Sequence, residues 1–383
     1  LKLKTQLENE IFRVVSIQKK ERRRKPQAPY TTSKLQQEGF TRLGFSAAKT
    51  MSIAQSLYEG VELGSEGGVG LITYMRTHSV NVAEVARHEA ARFVKERFGK
   101  DFLPKVPNFY RSKKGAQEAH EAIRPSSVYR EPDQIKTFLS QDQYKLYDLI
   151  WRKFVASQMS GAVDLVTSIE ILAGSQYFFR ASGTQNLFAG FLAALGGWFR
   201  EAKKKDYAEE DEEENIDAFP ELEEAEVLRL RELVGNQHFT KPPARYNDAS
   251  LVRVLEEKGI GRPSTYAPII YTLVNREYVS RKGSALVSTE LGEIVIDLLV
   301  KHFPYILDVR FTARLEEELD KIEEGVMDWV NVLENFYGPF EEHLREAKAT
   351  MKNVRQESRP TNECCEKCGK PMVLRWGRFG KFI

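Results

Sequence analysis

Tyr74, Arg76, Thr77, His78 and Ser79 stand together at the end of the apolar run in "GLITYMRTHSVNVAE", Gly70 to Glu84. Packing of a buried strand accounts for Leu71, Ile72 and Met75 but not for this polar cluster. If "LITYMR" is a strand, Tyr74 and Arg76 lie two apart and share a face. A phenol that attacks phosphorus must lose its proton, and ordinarily does so only near pH ~10. A neighbouring guanidinium lowers that cost and can hold the phosphate through two N–H groups. The competing reading is a packed tyrosine at a strand end.

Two further clusters suit the same chemistry. "SKKGAQEAHEAIRP", Ser112 to Pro125, crowds Lys113, Lys114, His120, Glu121 and Arg124 into one segment. On a helix His120 and Arg124 are i,i+4 neighbours able to share a phosphate, and His120 can give a proton. "EKGIGRPSTYAPII", Glu257 to Ile270, sets Arg262, Ser264 and Thr265 before a helix. Free amides and hydroxyls at a helix N-terminus attract anions, although a plain N-cap gives the same pattern. No P-loop lysine follows, so nucleotide hydrolysis is not indicated. In "CCEKCGK", Cys365 and Cys368 have the spacing of half a zinc site. Cys364 is poorly placed as a third ligand, and no second pair follows.

Positioning these groups takes several elements. A chain of 383 residues exceeds one ordinary core, and 42% hydrophobic with 29% charged residues describes a folded protein. The net charge of +2 hides a basic run, "KKERRRK" (Lys19 to Lys25), and an acidic one, "EEDEEE" (Glu209 to Glu214). The first is suited to phosphate and the second to a solvated loop. All three cysteines fall between Glu363 and Gly369, which excludes a disulfide framework and favours a reducing, cytoplasmic setting. The apolar stretch "NLFAGFLAALGGWF" is too short to span a bilayer. The start without Met and the end in mid-pattern suggest a fragment.

"FRVVSIQKKERRR" reads as a strand running into a basic extension. Helices are expected on both sides of Gly44, the second stopped by Gly60, and another from an N-cap at Ser79 to Gly99. "GAVDLVTSIEILAGSQYFFRASGT" alternates as strands do. After about Thr240 helices return around a hairpin-like "YVSRKGSALVST", a winged-helix arrangement.

Together the motifs "PYTTSKLQQEG", "LYEG", "GLITYMRT", "QEAHEAIRP", "GIGRPSTYAPII" and "FTARLEEELDKIEEG" resemble, in the same order, the bacterial type IA DNA topoisomerase I family. Met75 and the C-x-x-C tail make the chain more similar to topoisomerase I than to topoisomerase III, and the helicase domain of reverse gyrase is not seen. The resemblance implies a multi-domain α+β fold: a toroid core with a β-rich arch and two mainly helical, winged-helix or CAP-like domains. Its divisions would be 1–28 (a strand returning to the arch), 29–158 (the tyrosine domain), 159–243 (the arch), 244–350 (the winged-helix-like domain) and 351–383 (a linker and truncated zinc ribbon).

The implied activity is transient cleavage of one DNA strand by Tyr74 through a 5′-phosphotyrosine bond, strand passage and resealing. This relaxes negative supercoils without ATP. Arg76 would neutralise the scissile phosphate and His120 assist there. Arg262, Ser264 and Thr265 would contact the DNA backbone, joined by Arg124, Lys113 and Lys114. The implied partner is single-stranded or negatively supercoiled DNA, bound by a monomer in the bacterial cytoplasm. Mg²⁺ would be held by acidic residues of a TOPRIM domain not found in these residues, and Zn²⁺ by the cysteine ribbon. Without that domain, DNA binding with weak or no cleavage is expected, and a non-catalytic binding module is the alternative. The family pattern reads "RTDS", whereas this chain has His78 in place of the aspartate.

Overall fold

The computed structural model describes residues 2–111, 120–196, 219–351, 359–377 and 380–382. Its contacts fall into two units. One comprises Leu1–Glu257, Gly261–Val274 and Arg281–Val287; the other comprises Lys258–Ile260, Asn275–Ser280 and Ser288–Ile383.

In the first unit a short helix, α1 (Lys2–Leu7), precedes the long strand β1 (Phe12–Arg24). The helices α2 (Thr32–Leu43) and α3 (Ala47–Glu59) are capped by Thr31 and Ser46, whose hydroxyls accept the Lys34 and Lys49 amides. They end at Gly44, in the left-handed region, and at Gly60, as the glycine spacing predicts. After the small strands β2 (Val61–Glu62) and β3 (Gly68–Val69), the chain runs without regular structure through Tyr74 to α4 (Glu84–Arg97). Helices α5 (Pro132–Ile135) and α6 (Gln141–Ser157) follow, the latter opened by a capping box of Ser140 and Gln143. Tyr147, Ile150 and Phe154 of α6 pack with Leu35, Leu57, Leu71, Ile72, Met75 and Phe93 in the main core. Each such burial contributes roughly 1.5–3 kcal/mol, so the segment around Tyr74 is anchored by its apolar residues.

Strands β4 (Ala162–Ala173) and β5 (Tyr177–Phe188) form a hairpin on which β1 is laid antiparallel. The short β6 (Val227–Leu228) completes a sheet in the order β5-β4-β1-β6. The basic run is therefore part of β1 as far as Arg24, with only Lys25 beyond it. Following α7 (Leu192–Leu195), helices α8 (Asp248–Glu257) and α9 (Tyr266–Asn275) place Val252, Tyr266, Ala267 and Ile270 against Ala47. The Asp248 carboxylate accepts the Ala47 amide at 3.0 Å and pairs with Arg281. The expected hairpin is β7 (Val279–Lys282) with β8 (Ala285–Ser288).

The second unit holds α10 (Glu290–His302), α11 (Val309–Glu323) and α12 (Trp329–Thr350), each opened by a capping Thr or Asp. Phe311, Phe336 and Phe340 stack between α11 and α12. Strands β9 (Arg359–Cys364), β10 (Pro371–Gly377) and β11 (Gly380–Phe382) form a separate antiparallel sheet. No described helix is long and apolar enough to cross a membrane.

Three local expectations are corrected. "LITYMR" is not a strand, since only Ile72 makes a bridge, to Pro125. Ser79 does not cap a helix: its hydroxyl accepts the Asn81 amide, and α4 begins five residues later behind Ala83. The stretch from His120 to Arg124 is extended, so its i,i+4 pairing is lost. Ala122 and Ile123 instead donate their amides to Asn81 and Tyr30, which draws the segment into an extended path.

Candidate active site

The backbone around Tyr74 has no neighbouring strand, yet its polar groups are satisfied from four directions. The Leu71 amide donates to the Leu57 carbonyl at 2.7 Å and the Thr73 amide to the Arg124 carbonyl at 3.0 Å. Thr73 Oγ1 accepts the Arg124 amide and donates to the Ala122 carbonyl. Beyond the tyrosine, buried Thr32 at the start of α2 takes over. Its Oγ1 donates to the Met75 carbonyl at 2.7 Å and accepts the Thr77 amide at 2.8 Å, while its own amide donates to the Thr77 carbonyl. Gly70 permits the approach to α3, because a Cβ there would lie 2.8 Å from the Tyr58 carbonyl oxygen.

Side chains keep a two-residue alternation despite the missing strand. Met75 and Thr77 are buried, whereas Tyr74, 37% exposed, and Arg76 point to solvent. The Tyr74 ring is flanked by His120, with centroids 5.5 Å apart, and edge-on by Tyr58 at 5.5 Å. His120 therefore sits beside Tyr74. Tyr58 was missed as an individual residue, although "LYEG" contains it; its position depends on the end of α3 folding back on Gly70. Thr32 was missed too, since its hydroxyl acts across 43 residues of sequence.

His78 lies edge-on to Tyr266 with centroids 6.4 Å apart, which brings the start of α9 to the same neighbourhood. There Gly261 has a φ of +78°, a conformation that favours glycine. Thr265 Oγ1 accepts the Arg262 amide at 2.7 Å, and the Thr265 and Tyr266 amides donate to the Arg262 carbonyl. Arg262 also donates to the Gly261 carbonyl. The turn thus uses its own amides and the Thr265 hydroxyl, leaving Ser264 exposed as the group suited to an outside anion. Arg124 is committed as well: it donates to Glu121 and to the Pro125 carbonyl. Lys113 and Lys114 lie outside the described residues.

Behind the site, Glu38 of α2 is paired with Lys153 and Arg42 and accepts the Tyr30 hydroxyl. Burial alone would raise its pKa, but Lys153 and Arg42 together outweigh that and hold it below the usual carboxylate value. Burial and the Glu38 charge push the Tyr30 phenol well up, so it stays a neutral donor.

Among the described residues no three His, Cys, Asp or Glu side chains converge. Cys365 and Cys368 share one turn closed by the Gly369 amide on the Cys365 carbonyl. The Cys368 and Lys367 amides point at the Cys365 sulfur and lower its pKa. That suits two corners of a tetrahedral zinc site, and the described residues supply no third.

The fold and this cluster define a class: mixed α+β proteins that present an exposed tyrosine among cationic and aromatic side chains. Within it, a family model described as DNA topoisomerase matches residues 1–334. The full-length topoisomerase I of Thermotoga maritima is 34% identical in sequence, with a TM-score of 0.77. The match covers 99% of this chain and 59% of that one. The chain belongs to the bacterial type IA DNA topoisomerase family.

Proposed function

We propose that Tyr74 is the nucleophile of a reversible DNA strand transfer, and that the chain is the core of an enzyme relaxing negative supercoils. The observation that carries this reading is the exposed phenol held between His120 and Tyr58 on a turn whose backbone is satisfied elsewhere. Tyr74 Oη attacks the phosphorus of one phosphodiester. The Oη–P bond forms, the bond from phosphorus to the 3′-oxygen breaks, and the phenol proton is balanced by one gained at the 3′-oxygen. Arg76 offsets charge on the phosphate, while His120 assists proton movement. One phosphodiester replaces another of similar energy, so resealing by the 3′-OH needs no ATP. Ser264 and Arg262 would hold the neighbouring backbone, and residues 159–243 would act as the hinge on which the tyrosine domain lifts, so that another strand passes through the opened gap. The enzyme would act as a monomer on single-stranded or underwound DNA in the cytoplasm, with Mg²⁺ held outside these residues.

The test uses 3′-end-labelled single-stranded DNA with Mg²⁺, with and without a supplied TOPRIM domain. An SDS-resistant protein–DNA band is expected with the added domain, weak or missing without it, and lost in Tyr74→Phe. A band that survives Tyr74→Phe would overturn the assignment. Salt-sensitive DNA binding with no band in any arm would leave a non-catalytic binding module.

A further inference from the structure

The basic run of β1 is not used by the Tyr74 site. Along β1, Lys20, Arg22 and Arg24 alternate with Lys19, Glu21 and Arg23, so the two rows face opposite sides of the sheet. Asp164 of β4 lies opposite Arg22, and Asn186 of β5 lies opposite Asp164. The side chains follow that register. Arg22 and Arg24 each donate to Asp164 Oδ2 at 3.4 Å, and Asn186 donates to Oδ1 at 2.9 Å. The Asp164 side chain is only 2% exposed, whereas that of Arg22 is 53% exposed. Burial opposes the Asp164 charge, but Asn186 and the two arginines outweigh it and keep the carboxyl low.

A buried carboxylate thus draws together two guanidinium groups whose residues stand one strand period, about 6.8 Å, apart along β1. It neutralises one of them, and Lys20 extends the row. The other row sets Lys19 and Arg23 against Glu21, beside apolar Val163 and Leu165. Chain continuity links β1 to the tyrosine site. Pro26 and Gln27 are held by Tyr110 and Lys153, and four residues further on Thr31 and Thr32 open α2.

We propose that the row Lys20, Arg22 and Arg24, aligned by Asp164, is a second track for the phosphate backbone of single-stranded DNA. The inference rests on the reading of DNA as this chain's partner. The Arg22 guanidinium, on a side chain 53% exposed, and the exposed Lys20 ammonium suit phosphate oxygens, while Arg24 helps to anchor Asp164. The track carries no base specificity, because every contact is to backbone.

Binding of labelled oligothymidylate by the full chain, followed by anisotropy over a salt series, tests it. Each phosphate contact on a single strand contributes about 0.7 to the slope of log affinity against log salt. Lys20→Gln with Arg22→Gln should lower that slope by about 1.4, while Lys19→Gln with Arg23→Gln leaves it unchanged. Arg24 and Asn186 still satisfy Asp164 in the first pair. Should that pair fail to fold, Lys20→Gln alone should lower the slope by about 0.7. Equal losses from both pairs, or none from the first, would overturn the track while leaving DNA as the partner. No salt-dependent binding by the unsubstituted chain would remove the partner and the track together.

Discussion

The turns around Tyr74 and Ser264 look alike in sequence, each a polar cluster joined to an apolar run, but they satisfy their backbones in opposite ways. The Tyr74 turn borrows partners from Thr32, Leu57, Ala122 and Arg124, which leaves its own Tyr74 and Arg76 side chains facing solvent. The Gly261–Thr265 turn bonds to itself through Arg262 and Thr265 and presents chiefly Ser264. An exposed side chain is thus made available by polar groups elsewhere in the chain that complete its backbone.

The largest test of that difference is Thr32→Val. It leaves the Thr77 amide and Met75 carbonyl without their hydroxyl partner, costing about 2 kcal/mol. Slight displacement of the phenol should reduce covalent product about a hundredfold in the assembled enzyme, and Thr32→Ser should restore both. Denaturant unfolding and the labelled-DNA gel check the two effects.

Next comes the charge network supporting α2. The folded pKa of Glu38 is depressed, so its contribution is fully present above the unfolded value of about 4.3 and is lost as pH falls through the lower folded value. The midpoint of thermal unfolding should therefore fall between pH 6 and 3. Glu38→Gln should start about 1.5 kcal/mol less stable at pH 6, with the gap narrowing as pH falls below about 4.3.

The smallest effects separate two adjacent hydroxyls. Thr265→Ala should cost about 1 kcal/mol of stability with little change in DNA affinity. Ser264→Ala should leave stability within about 0.5 kcal/mol and weaken binding of single-stranded DNA. The reverse pattern would show that the self-bonded turn opens on DNA.

Local chemistry made much of this legible. Gly44 and Gly60 end the helices where positive φ suits glycine, and the Tyr74 region shows the two-residue alternation of its sequence. The Ser79 cap failed because that hydroxyl found a nearer amide, at Asn81. The helix expected at His120 gave way to long-range bonds with Tyr30 and Asn81. Tyr58 and Thr32 required knowing which distant segments meet, information that periodicity does not contain.

The placement of β1 inside its sheet has a consequence for assembly. Arg22 and Asp164 are 142 residues apart in sequence, so the first long strand to be synthesised waits for the next strand of its sheet, β4. Such non-local pairing slows folding, since the closing loop must be ordered before its contacts repay the entropy. Until then β4 keeps an open edge, a surface on which another chain's strand can pair.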